Sequence, residues 1–344
     1  MKILVTGGAG FIGYNILSYL NDHYPSFSLI AFDNLKRLGS ESNVAKLKLK
    51  GVTFIHGDIR NAIELKLVGQ VDFVVHCASD ASVLSGITSS SDVIIQNNLL
   101  GSINIFEFAA KQKAAVIFFS TNRVYGCSLL NNLKYSELDT RFSLSSEQVI
   151  PGVSEFGIAE DFPVYSEKTF YGATKYCSEV LLQEYAAFAG LKYVINRFGV
   201  VAGRGQFGMQ DQGVVSFWLK QHLMNGNLGY FGYGGKGKQV RDALHVLDLC
   251  RVIDLQISNF SIINGETFNI GGGKENSFSL KELTELCKAL TGNSPFIESV
   301  IDNRVGDIPI YFTDNRKVEN KLRWTPSFTV NQILKDLYDW YQNS

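Results

Sequence analysis

The sequence predicts an α/β fold: a doubly wound parallel sheet joined to a smaller C-terminal lobe. Three observations carry this. Short apolar runs alternate with helical patterns as far as Arg197, as βαβ units around a parallel sheet do. A glycine series, Gly7-x-x-Gly10-x-x-Gly13, stands between the first apolar run and the first helical stretch. Past Val200 the character changes, and glycines crowd residues 199–237.

Residues 3–5 (Ile-Leu-Val) end in glycines and read as a strand buried on both faces. A helical pattern follows through Leu20. A second run, 29–32, ends in Asp33. Residues 52–56 form a third, leading into Gly57-Asp58-Ile59-Arg60, and 71–76 a fourth, leading into Cys77-Ala78-Ser79. A helical stretch covers 93–111 and contains Asn98 and Gly101. Residues 115–119 are a fifth strand, followed by Ser120-Thr121-Asn122-Arg123. Segment 127–169 is irregular and polar, with the length of a functional loop or lid. A helix over 170–188 and a sixth strand over 193–197 complete a first domain, 1–197, expected to be rejoined by a segment near 238–260. Residues 198–344 form the second lobe. It holds a helix over 280–290 and a last amphipathic one whose apolar set is Ile333, Leu334, Leu337, Tyr338 and Trp340. Ligands of such sheets sit at the carboxyl ends of the strands. Asp33, Asp58, Ala78 and Thr121 all fall there and are expected to face one crevice.

Composition bounds the function. The chain has 344 residues, 45% of them hydrophobic, enough for a sizeable core. Its 32 basic and 33 acidic residues give a net charge of −1, with no long basic run. That excludes nucleic acid or an anionic membrane as the main partner. The five cysteines, Cys77, Cys127, Cys177, Cys250 and Cys287, are scattered with no CxxC. Neither a metal site nor a disulfide framework is expected, and a reduced, cytoplasmic compartment fits. The first apolar run breaks at Gly7, too short for a secretion signal, and no run has the length of a membrane span.

The glycines point to a dinucleotide. Gly7 permits a tight turn, Gly10 lets a pyrophosphate approach the backbone, and Gly13 lets helix and strand pack closely. The helix N-terminus, with Phe11 and Ile12 in its first turn, offers N–H groups to the phosphates. Asp33 lies 20 residues beyond Gly13, where a carboxylate accepts from ribose hydroxyls and repels a 2′-phosphate. The alternative is an Asp that merely opens a turn with Asn34, and the glycines favour the cofactor contact over it. Arg37 nearby softens the exclusion of a phosphate, so the expected cofactor is NAD over NADP. Tyr171 and Lys175 sit four apart in the helical run 170–188 and leave one face together. An ammonium beside a phenol favours the phenolate. Moving a phenol from pKa about 10 to about 7 takes roughly 4 kcal/mol and yields a proton-transfer group for neutral pH.

Taken together, the chain resembles the extended short-chain dehydrogenase/reductase family, the NAD-dependent sugar-nucleotide epimerases and dehydratases with a Rossmann fold. The likeness rests on TGGAGFIG at 6–13, Asp33, GDIR at 57–60, Asn98 with Gly101, STNRVYG at 120–126, YGATK at 171–175, KQVRDALHVLD at 238–248 and NIGGG at 269–273. It implies a triad of Thr121, Tyr171 and Lys175, with Tyr171 as acid/base. It implies cofactor contacts from the glycines, Asp33, Asn34, Arg37, Asp58, Ile59, Cys77, Ala78, Asn98 and Ser120. Asn98 would support the helix of Tyr171. Substrate contacts are expected from Thr121, Asn122, Val200, Gln239, Arg241 and Arg304, the two arginines gripping a diphosphate as planar forks do. Family members commonly pair through helices, so a homodimer or homotetramer is expected through 93–111 and 171–189, with Ile103, Phe106 and Phe108 as surplus apolar residues.

Two departures narrow the reaction. Dehydratases of the family carry an Asp-Glu pair directly after the matching threonine; here Asn122 and Arg123 stand there and cannot exchange protons as elimination requires. Many 4-epimerases place an asparagine after the sixth strand, where this chain has Val200. Segments FDNLKR at 32–37, FIHGDIRN at 54–61, DQG at 211–213, GKQVRDALH at 237–245 and RWTP at 323–326 are similar to the branch acting at C2 of a CDP-hexose. His76 and His245 are expected to be packed, hydrogen-bonded residues.

Overall fold

The computed structural model describes residues 1–343, which fold as two compact units. The first comprises Met1–Thr121, Phe170–Arg197 and Leu249–Phe268; the second comprises Asn122–Thr169, Phe198–Asp248 and the chain from Asn269 onward.

The first unit is organised on a seven-stranded sheet of β1 (Lys2–Thr6), β2 (Ser28–Asp33), β3 (Thr53–His56), β4 (Phe73–His76), β5 (Ala115–Thr121), β6 (Tyr193–Phe198) and β7 (Thr267–Ile270). Their order is β3-β2-β1-β4-β5-β6-β7. β1 pairs in parallel with β2 on one side and β4 on the other, so the order reverses between β1 and β4, where doubly wound sheets bind ligands. The helices are α1 (Phe11–His23), α2 (Ser40–Leu49), α3 (Gly101–Gln112) and α4 (Phe170–Ala189). Ile3, Leu4 and Val5 are fully buried, as the unbroken apolar run requires of a strand covered on both faces. Leu4, Ile30, Phe32, Phe106, Phe118 and Leu182 belong to one core cluster.

Several expectations are corrected. β7 was visible in the sequence only as part of the NIGGG motif, not as a strand. Segment 93–111 is three pieces: a short turn of helix, Asp92–Ile94, a π-helical stretch, Ile95–Leu100, and α3. Segment 127–169 is not one irregular loop. It contains a helix, Cys127–Asn131, and two hairpins, Tyr135–Glu137 with Phe142–Leu144 and Val153–Ser154 with Gly157–Ile158. It belongs to the second unit because its apolar residues are buried there: Phe142 clusters with Val240, Ile310 and Phe312. The segment that rejoins the first unit is 249–268, not 238–260.

The second unit contains a three-stranded sheet of Val200–Ala202, Val240–His245 and Ser277–Ser279, with α5 (Val214–Met224), α6 (Leu280–Thr291) and α7 (Val330–Gln342). Ser279 with Glu282 and Thr329 with Gln332 make capping boxes that start α6 and α7. Ile333, Leu334 and Leu337 are buried with Trp218, Leu219, Leu283 and Cys287; Tyr338 packs beside them, and Trp340 meets Phe207 edge-on. Among the described residues no helix is long and apolar enough to cross a membrane.

Candidate active site

The glycine loop closes the turn from β1 into α1. Gly7 has φ +68°, and a Cβ there would stand 3.0 Å from the backbone of Ala78, so the loop abuts the end of β4. A Cβ on Gly13 would fall 2.2 Å from the Gly7 carbonyl oxygen, which is the close helix–strand approach expected of that position. Gly8, which sequence reasoning passed over, is equally constrained: its Cβ would lie 2.7 Å from Ala31 Cα. The Gly7-Gly8 doublet was the available signal. Gly10 caps α1 in an extended conformation, with no side-chain cap and no acid in the first turn. The N–H groups and positive dipole end of a thirteen-residue helix are thereby left for an anion.

Asp33 ends β2. Its Oδ2 accepts from Ala9 N at 3.0 Å and its Oδ1 from Leu35 N at 2.8 Å. Burial raises its pKa, and these N–H donors oppose the rise. The carboxylate therefore also holds the glycine loop, a role beyond the ribose contact read from sequence. Asn34 donates to Asp58 at 2.9 Å, tying the ends of β2 and β3, and Arg60 forks onto the same carboxylate at 2.9 and 2.6 Å. Arg60 holds Asp58 well below the usual carboxylate range. Arg37 is exposed in the loop after β2. Ile59 has its side chain in the core at 7% exposure, with Gly101 against it, and its carbonyl accepts from Asn104 Nδ2 at 2.9 Å. Cys77 and Ala78 are half-buried, their amides bonded to Thr6 O at 3.2 Å and Thr6 Oγ1 at 3.3 Å. Phe11 and Ile12 are half-buried in the first turn of α1.

Thr121 is the buried last residue of β5. Tyr171, in the first turn of α4, is partly exposed; Lys175 is buried. Lys175 Nζ donates to Phe119 O at 2.8 Å and lies 4.9 Å from the Phe118 ring centroid, so α4 and the end of β5 are joined two residues before Thr121. Burial pulls the Lys175 pKa down to about 8, with Cys77 and Glu179 acting the other way. Asn98 is fully buried in the π-helical stretch. Its side chain is spent on Asp80, accepting from N and donating to O, both at 2.8 Å. Its carbonyl accepts from Ser178 Oγ of α4 at 3.1 Å, so its support of that helix comes through the main chain. Ser120 also differs: its hydroxyl donates to Glu179. His76 is packed as expected, with Thr6 Oγ1 at 2.7 Å and Ser102 Oγ at 3.0 Å, and burial keeps it neutral.

The remaining residues lie in the second unit. Asn122 and Arg123 begin a 3-10 turn, and Arg123 Nη1 donates to Gly306 O at 3.0 Å. Arg241 is half-buried: Nη2 donates to Asp307 Oδ1 at 2.7 Å and to Ile308 O at 2.8 Å. Arg304 lies flat on Phe231, 3.5 Å from the ring centroid. Gln239 Nε2 donates to Phe231 O, while its Oε1 is buried without a partner. Val200 is half-buried on a short strand, opposite Ala243. His245 Nε2 contacts Asp336 at 3.1 Å. Tyr230 stacks on Trp218 in the core. Among the described residues no three His, Cys, Asp or Glu side chains gather as a metal site.

A family model described as NAD dependent epimerase/dehydratase matches residues 3–271. This chain belongs to that family. It is 32% identical to a CDP-paratose 2-epimerase of Salmonella typhi over 99% of both chains. Among solved structures it is similar to a UDP-glucose 4-epimerase of Thermotoga maritima with UDP-glucose, at 27% identity and TM-score 0.82, covering 100% of this chain and 99% of the other. It is also similar to a UDP-glucuronic acid 4-epimerase of Bacillus cereus in complex with UDP-glucuronic acid and NAD, at 25% identity and TM-score 0.83, with the same coverage. As a member of the family the chain is an NAD-dependent enzyme. Its residues suit that cofactor: an uncapped α1 N-terminus for the diphosphate, glycines where any Cβ would intrude, and Asp33 at the end of β2.

Proposed function

We propose that the protein epimerises a nucleotide-diphosphate sugar, and that its reaction is the interconversion of CDP-paratose and CDP-tyvelose at C2. The observation that carries this is the pairing of Lys175, one turn after Tyr171, with the end of β5, in a chain whose next two residues after Thr121 are Asn122 and Arg123. An acid/base pair suited to alcohol oxidation is present, and the acids of a dehydratase are not. The choice of C2 rests on the 32% identity to the CDP-paratose 2-epimerase.

Tyr171, as phenolate, takes the proton of the C2 hydroxyl and later gives one back. Lys175 stabilises the phenolate, and Thr121 hydrogen-bonds the reacting oxygen. Bound NAD supplies the hydride acceptor and donor at that carbon. The Gly7–Gly13 loop and Asp33 hold the cofactor; Asn122, Val200, Gln239, Arg241 and Arg304 are the proposed substrate contacts. Arg241 already bonds Asp307 and Ile308, so Arg304 is the stronger diphosphate contact of the two. A second reading, a UDP-hexose 4-epimerase, is favoured by the likeness to the Thermotoga structure with UDP-glucose. A catalytically idle NAD-binding sensor has the intact Thr121, Tyr171 and Lys175 against it.

Incubation with CDP-, UDP-, GDP- and dTDP-sugars, followed by NMR for a new anomeric signal, tests the reading. A C2 epimer from the CDP-sugar alone is the expected result; a C4 epimer from a UDP-sugar would replace it with the second reading, and stoichiometric NADH would indicate a dehydrogenase. We also propose self-association through the helices at 93–111 and 171–189. Phe106 drops out of the expected surface because it is fully buried in the core, whereas Leu100, Val180 and Phe188 are exposed. Sedimentation at micromolar concentration should show a dimer or tetramer; a monomer alone rejects it.

A further inference from the structure

Glu179 stands one turn beyond Lys175 on α4 and is 2% exposed. Its carboxylate accepts from Arg197 Nε at 3.1 and 3.2 Å, from Arg197 Nη2 at 2.7 Å, and from the hydroxyl of Ser120. Arg197 is on β6, and Ser120 is the residue before Thr121 on β5. The proton transfers above make no use of this cluster. Nor does stability explain it, because an apolar pair of similar volume commonly does as well as a buried ion pair.

What an apolar pair could not do is act on the triad. Successive residues of β5 are bonded to successive turns of α4: Phe119 O accepts from Lys175, and Ser120 Oγ donates to Glu179. Together these fix where Thr121 lies along α4. The charges are also ordered. Lys175 is buried near neutral His76, which ends β4, neutral Cys77 after it, and the Phe118 ring on β5, with Tyr171 one turn earlier on its own helix. Asn98, from the π-helical stretch, brings no charge. Among the described residues Glu179 is the carboxylate that acts on the Lys175 ammonium, and Arg197 pairs with it at 2.7 Å.

We propose that Glu179 is a positioning residue of the triad: anchored by Arg197 and Ser120, it locks the end of β5 to α4 and sets a buried counter-charge one turn along the helix from Lys175. This rests on the reading of Tyr171 and Lys175 as the reacting pair. The burial of Lys175 makes the counter-charge necessary, since desolvation alone draws its proton affinity toward the working pH.

The test is a titration of Lys175 by NMR in NAD-loaded protein carrying [ε-13C]lysine, with the resonance identified by its loss in K175R. In the unmutated protein it should titrate at about 8. E179Q alone strands the Arg197 charge, so the variant to read is E179Q/R197Q, which removes both. There the midpoint should fall below the parent's, because the carboxylate one turn from Lys175 is lost and the Arg197 charge that goes with it stands on the neighbouring strand. E179D, which keeps the charge at shorter reach, should fall between the two and serves if the paired variant does not fold. An unshifted midpoint in a folded variant overturns the proposal, and so does a Lys175 that titrates like an exposed lysine in the parent. Neither readout requires turnover, so failure of the reacting-pair reading appears separately, as Y171F epimerising at the parent rate.

Discussion

Gly10 and Gly13 are three residues apart in one motif, yet substituting them should do different things. A Cβ on Gly13 meets Gly7 O at 2.2 Å, Gly8 Cα at 2.7 Å and Gly7 C at 2.8 Å. All three are backbone atoms of the loop that Asp33 ties down, so none can swing aside as a side chain would. Overpacking of this kind costs roughly 1–3 kcal/mol, more here because the obstacle is main chain, against a gain of about 1 kcal/mol from alanine's helix propensity. G13A should therefore be destabilised by at least about 1–2 kcal/mol, roughly 2–4 °C in unfolding temperature per kcal/mol. A Cβ on Gly10 meets only Gly7 O, at 3.2 Å, and Gly10 is already extended, at φ −70° and ψ 171°. G10A should fold with little loss, about a kcal/mol or less for a poorer N-cap. Its methyl, however, would stand where we propose that the diphosphate approaches, and NAD affinity should fall at least tenfold, about 1.4 kcal/mol. The assay pairs thermal unfolding of NAD-stripped protein with NAD titration by calorimetry. A G13A protein as stable as its parent, or a G10A protein with undiminished NAD affinity, would refute the division of labour.

Lys175 gives a pH prediction. Its pKa falls from 10.5 to about 8 on folding, so the unfolded chain binds more protons between those values, and stability must rise with pH across that window. K175M lacks this term: its stability advantage over the parent should be largest near neutrality and shrink as pH climbs through 8 toward 10.5, and parallel denaturation curves would contradict it. R241A and R304A should also separate. R241A removes the ion-pair partner of Asp307, which keeps only the Ile308 amide, and should lower stability by about 1–3 kcal/mol. R304A should leave stability within about 0.5 kcal/mol while raising the apparent KM for the nucleotide sugar strongly; equal stability and equal KM in both variants would sink the assignment.

Much of this was legible because its signals are local. The strand before Gly7, the Asp at the end of the second run and the four-residue spacing of Tyr171 and Lys175 each sit within one turn or one strand, and the strand-end rule then gathers them. What the sequence hid depends on partners far along the chain. Gly8 is constrained by Ala31, and Ser120 by Glu179, 59 residues away. The π-helical turn at Asn98 breaks what reads as one continuous helix. Arg241 looks like a free fork in KQVRD, and only the fold shows Asp307 beside it. Segment 127–169 reads as loop because its hairpin strands are two or three residues long, below the length at which alternation shows. Glu179 was open to discovery, four residues beyond Lys175 on the same face, but a lone acid on a helix carries no signal until Arg197 is seen across from it.

In the proposed reaction Tyr171 moves the proton while the C2 hydrogen leaves and returns as hydride. The direct measurement is conversion of CDP-paratose deuterated at C2, followed by NMR and mass spectrometry of the CDP-tyvelose formed, in the parent and in Y171F. The deuterium should stay at C2 with inverted configuration. Y171F should retain its NAD and its fold but lose about 10²–10⁴-fold in rate, as general acid/base catalysts do. Deuterium lost to solvent, inversion at C4, or Y171F turning over at the parent rate would contradict the proposed reaction.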